Sequence, residues 1–163
     1  MTSACAVACS DIYREDQHPV SKDARYFAQQ AGAQPAGRGS FFKWDDQEQI
    51  EILPGLLFQP ILGEQLMANF VSFEANVVAP VHWHDEEQMS IVLEGEFEFE
   101  VDGEKKLIRR GEAVLIPPNV PHGARTYDST CLELDIFNPP RSGLLELMGL
   151  IGPDGQRLSP GTA

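Results

Sequence analysis

Residues 96–102 carry the alternation that most restricts what this chain can fold into. Phe97, Phe99 and Val101 are separated by acidic residues, and this two-residue period predicts a strand with one buried and one solvated face. Asp102 and Gly103 follow at once, a pair typical of two-residue hairpin turns. The stretch therefore predicts a strand that reverses through a tight turn into a second strand.

Short apolar runs separated by Gly, Pro and Asp continue on both sides of this hairpin. They predict further strands at residues 50–53, 56–62, 66–73, 77–84, 89–93, 105–109, 113–116 and 130–137. Many short strands with turn signals between them are typical of an all-β sandwich or barrel. We interpret residues 89–93 as a fully buried strand, because the run is almost continuously apolar. A short closing helix is predicted at residues 144–150.

The length of 163 residues suits one domain with a substantial core. Residues 1–40 show weak periodicity, so we predict a loosely ordered N-terminal extension with at most a short helix at residues 21–30. Residues 41–151 carry the strand pattern and form the predicted domain. Residues 152–163 are rich in Gly and Pro and are predicted to be a loose tail.

The composition excludes several classes of partner. A net charge of −13 argues against nucleic acid and against an anionic membrane surface. An acidic substrate would need a local arginine. Three cysteines without tight spacing, Cys5, Cys9 and Cys131, fit a reducing compartment. Since no stretch resembles a signal peptide or a membrane span, a cytoplasmic location is expected.

The residues with the clearest chemistry are His82 and His84, which are separated by one position. Side chains alternate along a strand, so both imidazoles share one face, and Gln88 returns to that face if the chain stays extended. His122, after the proline-rich turn at 117–121, is the natural fourth ligand. These four residues predict a metal site. The alternatives are two outward-facing surface histidines and a loop role for His122.

The donor types indicate which ion would bind. Imidazoles suit zinc, iron, copper and nickel, and the amide oxygen of Gln88 adds a weak neutral donor that favours Lewis-acid chemistry over redox cycling. We expect one divalent ion, Zn, Ni, Fe or Mn, with Zn or Ni favoured. Glu86 and Glu87 could also ligate, but a solvated turn is the simpler interpretation. Trp83 should face the other side of the strand and pack in the core.

The two segments resemble the paired motifs of the cupin superfamily. The first reads His82-x-His84-x-x-x-Gln88 followed by Gly95, and the second spans residues 111–123. The usual glutamate of the first motif is replaced by Gln88. This resemblance implies a single jelly-roll β-barrel with a metal held by the four residues named above.

A closer resemblance reaches the end of the predicted domain. Residues 135–141, together with Gln88, are similar to single-domain cupins that linearise unsaturated uronates in pectin and alginate breakdown. That resemblance implies a catalytic aspartate, aromatic and arginine at Asp135, Phe137 and Arg141. It covers residues 41–141 and leaves residues 1–40 unexplained. Small cupins of similar build also occur as aromatic polyketide cyclases.

The last strand can face the interior in two ways. Asp135 and Phe137 share one face with Cys131 and Glu133, while apolar residues occupy the other. A carboxylate inside a barrel is costly unless it is used or paired. Asp135 is therefore either catalytic, with Glu133 as a weaker supporting candidate, or solvated on the outside. Arg141 either binds a substrate carboxylate or pairs with a surface acid.

Three kinds of function follow from these residues. The first is a metal-dependent enzyme acting on a small oxygenated carbonyl or enol substrate, most concretely the ring opening of an unsaturated uronate. The second is a polyketide cyclase, favoured by a large apolar pocket lined by residues such as Phe58, Phe70, Phe97 and Phe99. The third is a non-catalytic small-molecule-binding cupin, and a dioxygenase is a further alternative. A homodimer is expected by analogy.

Overall fold

Antiparallel β-strands make up most of the structure, a computed structural model that describes Gln34, residues 37–152 and residues 154–158. The described part of the chain contains nine strands, one α-helix and a 3₁₀ turn at Trp44–Asp46. The strands are β1 Ile50–Leu53, β2 Leu56–Leu62, β3 Met67–Phe73, β4 Val78–His82, β5 Glu87–Val101, β6 Glu104–Arg109, β7 Ala113–Ile116, β8 His122–Arg125 and β9 Cys131–Asn138. The helix α1, Ser142–Leu147, begins two residues before the predicted start.

The strands form one curled sheet in the order β1-β2-β3-β9-β5-β8-β4, with β6 and β7 also paired to β5. The long strand β5 joins the two parts of this sheet. Its residues 87–95 pair with β9, and its residues 96–101 pair with β6. A bulge between Val92 and Glu94 marks the change, and Gly95 follows with φ +73°. The arrangement confirms the predicted all-β jelly roll.

The strand β5 also corrects a sequence expectation. Residues 89–93 and 96–102 were predicted as separate strands, but the backbone is continuous through Gly95. The interpretation of residues 89–93 as fully buried is wrong, because Met89 is 39% exposed. The buried residues on this part of β5 are Gln88, Ser90 and Val92. The inner face of this part of β5 therefore carries two polar residues, Gln88 and Ser90, beside Val92, while Met89 lies on the outer face.

The strand β9 also turns its polar residues toward the interior of the sheet. Cys131, Glu133, Asp135 and Phe137 are buried, while the intervening leucines and isoleucine lie half-buried on the opposite face. The alternative in which Asp135 is simply solvated is therefore wrong. Of the two acids, Asp135 is hydrogen-bonded inside the sheet, since it accepts from Gln88 and Ser90.

Apolar side chains fill the rest of the interior. The main core cluster includes Val71, Phe73, Val92, Phe97 and Ile116. A second cluster seals the end nearest α1, and its buried members are Met67, Phe137, Leu144 and Leu145. Trp83 belongs to neither, since it is 66% exposed, so the expectation that it packs in the core is wrong.

Several expectations fall on residues outside the described ones. These are the short helix at residues 21–30 and the surroundings of Cys5 and Cys9. The predicted domain boundaries stay predictions, although every strand and the helix lie within the unit Phe41–Ala163. Among the described residues, no helix has the length and apolar character needed to cross a membrane.

Candidate metal centre

The two histidine-bearing segments meet because β4 and β8 are hydrogen-bonded neighbours. His82 ends β4 and lies directly opposite His122, the first residue of β8. Pro80 falls within the irregularity of β4, where a missing N–H is tolerated. One ring nitrogen from each of His82, His84 and His122 lies within 4.8 Å of the other two. The structure thus brings the three predicted histidine ligands together.

A tight turn delivers His122 to this position. Val120 N donates to the carbonyl oxygen of Pro117 at 3.3 Å, and Asn119 at the third position has φ +63°. Proline second and a left-handed asparagine third are typical of a type II turn. The N–H of Asn119 also donates to the carbonyl of His84 at 2.8 Å, which ties the second segment to the first.

Backbone carbonyls fix the tautomers of two of the histidines. Nδ1 of His82 lies 2.9 Å from the oxygen of Pro80, and Nδ1 of His122 lies 2.8 Å from that of Val120. A carbonyl can only accept, so each Nδ1 carries the proton and each Nε2 keeps its lone pair. Nε2 of His122 is buried without a partner among the described residues. A lone pair held in this way is typical of a metal ligand.

Gln88 presents its amide oxygen to the histidines. Its Oε1 lies 3.0 Å from Nε2 of His84, while its Nε2 donates to Oγ of Ser90 at 2.9 Å and to Oδ1 of Asp135 at 2.8 Å. Because a carboxylate accepts and does not donate, Asp135 orients the amide nitrogen away from the histidines. The oxygen is then the atom available to a cation.

Burial keeps the histidines neutral. It lowers the pKa of His82 and His84, and it lowers the pKa of His122 to about 4, with the positive charge of Arg141 acting in the same direction on all three. Neutral imidazoles are the form that binds metal. Three imidazole nitrogens and an amide oxygen therefore fit a divalent cation of the predicted kind.

Two carboxyl groups lie beside the histidines on β9. Oδ1 of Asp135 accepts from Oγ of Ser90 at 2.5 Å as well as from Gln88. Burial raises the pKa of Asp135 to about 6, although both hydrogen bonds oppose the shift. Burial and the nearby Asp135 raise the pKa of Glu133 well above its usual range. Oε2 of Glu133 is buried without a hydrogen bond to the described residues.

Arg141 and Phe137 form the side of the site nearest α1. The guanidinium carbon of Arg141 lies 5.6 Å from the centroid of the Phe137 ring, within cation–π range. That ring meets the imidazole of His84 edge-on, with 5.6 Å between centroids. Arg141 takes part in none of the salt bridges among the described residues, so the alternative of a surface ion pair finds no support.

Two cavities adjoin these residues. The first, of about 40 Å³, reaches three of the four proposed ligands and both acids of β9, and its polar lining residues are His82, Gln88, His122, Glu133, Asp135 and Arg141. The second, of about 360 Å³, is lined by Leu53, Leu56, Phe58, Leu144, Leu147 and other small or apolar residues. Only His82 and Arg141 are polar in the second cavity, and both belong to the first as well.

The predicted phenylalanine lining is correct for only two of its four members. Phe58 and Phe99 line the first cavity. Phe97 is buried in the main core, and Phe70 packs on Trp44 with 5.1 Å between centroids. Alternation along β3 places Phe70 on the face opposite Val71, which is why it misses the interior.

Sequence reasoning missed three polar residues around the site. Ser90 was detectable, because it is two positions from Gln88 on the same strand. Asn69 is fully buried with neither amide atom hydrogen-bonded to the described residues, and it pairs in register with Asp135. Glu86 was expected in a solvated turn but is 4% exposed, so that expectation is wrong. Its neighbour Glu87 is exposed as expected.

Comparisons with known proteins agree with the fold. A family model described as a cupin domain matches residues 69–137. The pectin degradation protein KdgF of Dickeya dadantii (strain 3937) is 30% identical over 84 residues, which cover 51% of this chain and 76% of that protein. The solved structure of KdgF from Halomonas sp. shares 32% identity and a TM-score of 0.62, covering 66% of this chain and all (100%) of that one.

A third relative differs in its named activity. The dimethylsulfoniopropionate lyase DddQ of Ruegeria pomeroyi (strain ATCC 700808 / DSM 15171 / DSS-3) is 31% identical over 98 residues. The match covers 60% of this chain but 47% of that protein, so this chain spans about half of its length. The relatives therefore agree on the fold and differ in chemistry.

Proposed function

This chain is a member of the cupin superfamily, and from that premise we propose that it is a metal-dependent enzyme acting on a small oxygenated carbonyl or enol substrate. The observation that carries the proposal is the convergence of three neutral imidazoles and the oxygen of Gln88 beside a buried carboxyl group, Asp135. A purely structural metal site needs no buried acid such as Asp135 beside its ligands. It also needs no arginine such as Arg141, which forms no salt bridge with the described residues.

The concrete reaction we propose is the ring opening of an unsaturated uronate. The resemblance to uronate-linearising cupins supports it, and so does the Dickeya dadantii relative, whose name refers to pectin degradation. Arg141 supports it as well, because its guanidinium borders both cavities without a salt bridge to the described residues. A planar guanidinium binds a carboxylate through two parallel hydrogen bonds.

Each residue then has a defined task. His82, His84, Gln88 and His122 would hold a divalent ion, and that ion would supply Lewis-acid polarisation of the substrate oxygens. Arg141 binds the substrate carboxylate, with its guanidinium packed against the ring of Phe137. Asp135 exchanges a proton with the substrate. Because Ser90 and Gln88 both donate to Oδ1, the carboxyl group is held in one orientation and Oδ2 is left for that exchange.

Replacing Asp135 with asparagine tests this assignment. We expect the variant to bind metal as the wild type does, because an amide oxygen can still accept from Ser90 and Gln88. Turnover should fall about 10²–10⁴-fold, the range typical of a general acid–base group. Metal content by mass spectrometry and the rate of loss of the unsaturated uronate are the measurements.

Ser90→Ala is the matched control for this experiment. It removes one hydrogen bond to Oδ1 and keeps the carboxyl group, so its turnover should fall much less than that of Asp135→Asn. Full activity in Asp135→Asn would remove the aspartate from the mechanism. Loss of metal in that variant would show that Asp135 is needed for metal binding, through its contact with Gln88.

The second cavity favours one alternative, an aromatic polyketide cyclase. Its lining of Leu53, Leu56, Phe58, Leu144 and Leu147 offers few partners to the hydroxyl groups of a sugar acid. Assays of the metal-loaded protein with an unsaturated uronate and with a linear polyketide chain separate the two functions. Leu147→Lys should impair turnover of the polyketide and spare that of the uronate, since an added charge opposes only the apolar substrate.

Three further properties of the protein remain predictions. They are the identity of the ion, with Zn or Ni favoured over Fe or Mn, a homodimer in solution and a cytoplasmic location. A non-catalytic binding protein would bind the ion and leave both substrates unchanged. A dioxygenase would consume oxygen after loading with iron, which is a direct assay.

A further inference from the structure

Glu86 connects two parts of the site that are far apart in sequence. It lies two residues after His84 and two before Gln88, and it is 4% exposed. Its Oε1 accepts a hydrogen bond from the backbone N–H of Ser142 at 2.8 Å. Its Oε2 lies 3.2 Å from Nδ1 of His84.

The carboxyl group of Glu86 is buried, and its two oxygens have different neighbours. A buried carboxylate has to be paired or hydrogen-bonded to be tolerated. The N–H of Ser142 donates to Oε1 of Glu86. Oε2 faces Nδ1 of His84, but the two atoms are not aligned as a hydrogen bond.

Ser142 matters because it directly follows Arg141. Ser142 is the first residue of α1, and Arg141 at the preceding position has extended backbone angles of φ −63° and ψ +118°. The side chain of Arg141, the N-cap residue, makes no capping hydrogen bond to this helix. The contact with Glu86 therefore fixes the backbone at the point from which the Arg141 side chain departs toward the cavities.

We propose that Glu86 is a positioning residue that links the metal ligand His84 to the substrate-binding Arg141. The inference rests on the proposed function for the role of Arg141, but not for the contact with His84. A carboxylate beside the non-ligating nitrogen of a histidine fixes the ring orientation and raises the basicity of the other nitrogen. One side chain thus holds both the metal-binding and the carboxylate-binding halves of the site.

The variant Glu86→Gln tests the first half of the link. It is nearly isosteric and removes the negative charge facing Nδ1 of His84. We expect the affinity for Zn²⁺ or Ni²⁺, measured by competition with a chromogenic chelator, to fall about 10–100-fold. Glu87→Gln is the matched control, because Glu87 is the adjacent acid and is exposed; its affinity should equal that of the wild type.

The variant Ser142→Pro tests the second half. Proline removes the N–H that donates to Glu86 Oε1, yet it is favoured at the first position of a helix and after an extended residue. We expect metal affinity within about twofold of the wild type and a KM raised several-fold with kcat little changed. Glu86→Gln should show both defects, in metal affinity and in KM.

The outcomes separate this inference from the proposed function. Wild-type metal affinity in Glu86→Gln overturns the link to His84, whatever the substrate proves to be. An unchanged KM in an active Ser142→Pro overturns the link to Arg141. If no uronate or polyketide is turned over by the wild type, the proposed function fails, while the chelator measurement still decides the role of Glu86 at His84.

Discussion

Replacing Gly95 with alanine should destabilise the fold more than the same change at another left-handed glycine. Gly95 has φ +73° and lies where β5 stops pairing with β9 and begins to pair with β6. An added Cβ would stand 2.0 Å from the backbone oxygen of Thr130, the residue before β9. A backbone atom cannot swing aside as a side chain can, so the start of β9 has to move.

Two costs add in this variant. A left-handed backbone costs an alanine roughly 1–2 kcal/mol. Overpacking that forces a backbone shift costs about 1–3 kcal/mol. The unfolding free energy of Gly95→Ala should therefore fall by about 2–5 kcal/mol.

Gly103→Ala isolates the steric part of that loss. Gly103 has φ +81° in the β5–β6 hairpin, and a Cβ there would meet nothing within 4 Å. Only the backbone cost of roughly 1–2 kcal/mol should remain. Urea unfolding of both variants, followed by circular dichroism and compared at equal m-values, measures the difference. Equal losses in the two variants would refute the steric argument at the corner of β5.

Three further predictions concern the site. His122→Ala should leave the dialysed protein without stoichiometric metal by mass spectrometry, and an unchanged ion count would remove His122 from the ligand set. Arg141→Lys should raise KM about tenfold, because an ammonium cannot bind a carboxylate bidentately; a change confined to kcat would contradict that role. Glu133→Gln should make the metal-free protein more stable than the wild type, and this difference in unfolding free energy should grow as the pH rises above about 4.3, the usual pKa of a glutamate. Burial and the charge of Asp135 raise the pKa of Glu133 in the folded state, so the wild type loses stability as pH rises through that window. A stability difference that does not change with pH, measured by urea unfolding from pH 4 to 8, would be inconsistent with a buried carboxyl group.

Local periodicity predicts the strands of this chain well. The bounds of β1, β2 and β7 agree with the predicted residues 50–53, 56–62 and 113–116. These strands begin or end near glycine or proline. Because such residues mark turns through their own backbone preferences, the strand ends can be predicted from the local sequence. The strand β8 was missed, since its four residues His-Gly-Ala-Arg carry no apolar alternation.

Which face of a strand lies inside was harder to predict. On β9, Leu134 and Ile136 are more apolar than Glu133 and Asp135, yet the acids face the interior. Hydrophobicity ranks side chains one at a time, whereas the cost of a buried acid depends on partners such as Ser90. Those partners come from other strands, so their presence is not visible in the β9 sequence alone.

The polar residues between the ligands show the same limit. Glu86 is buried because Ser142, 56 residues away, donates to it. Trp83 directly follows β4 and is 66% exposed, although its large apolar ring alone would favour burial. Spacing within a motif predicts the ligands themselves but not the distant segments that pack around them.

The outward orientation of Trp83 gives the protein an optical reporter. The indole stands between two proposed ligands, so a paramagnetic ion such as Ni²⁺ should quench its emission as the site fills, whereas Zn²⁺ should not. The other tryptophan, Trp44, packs against Phe70 with its ring tilted by 34° and supplies a background that should respond less. Titrations can therefore be followed by intrinsic fluorescence, with no dye attached.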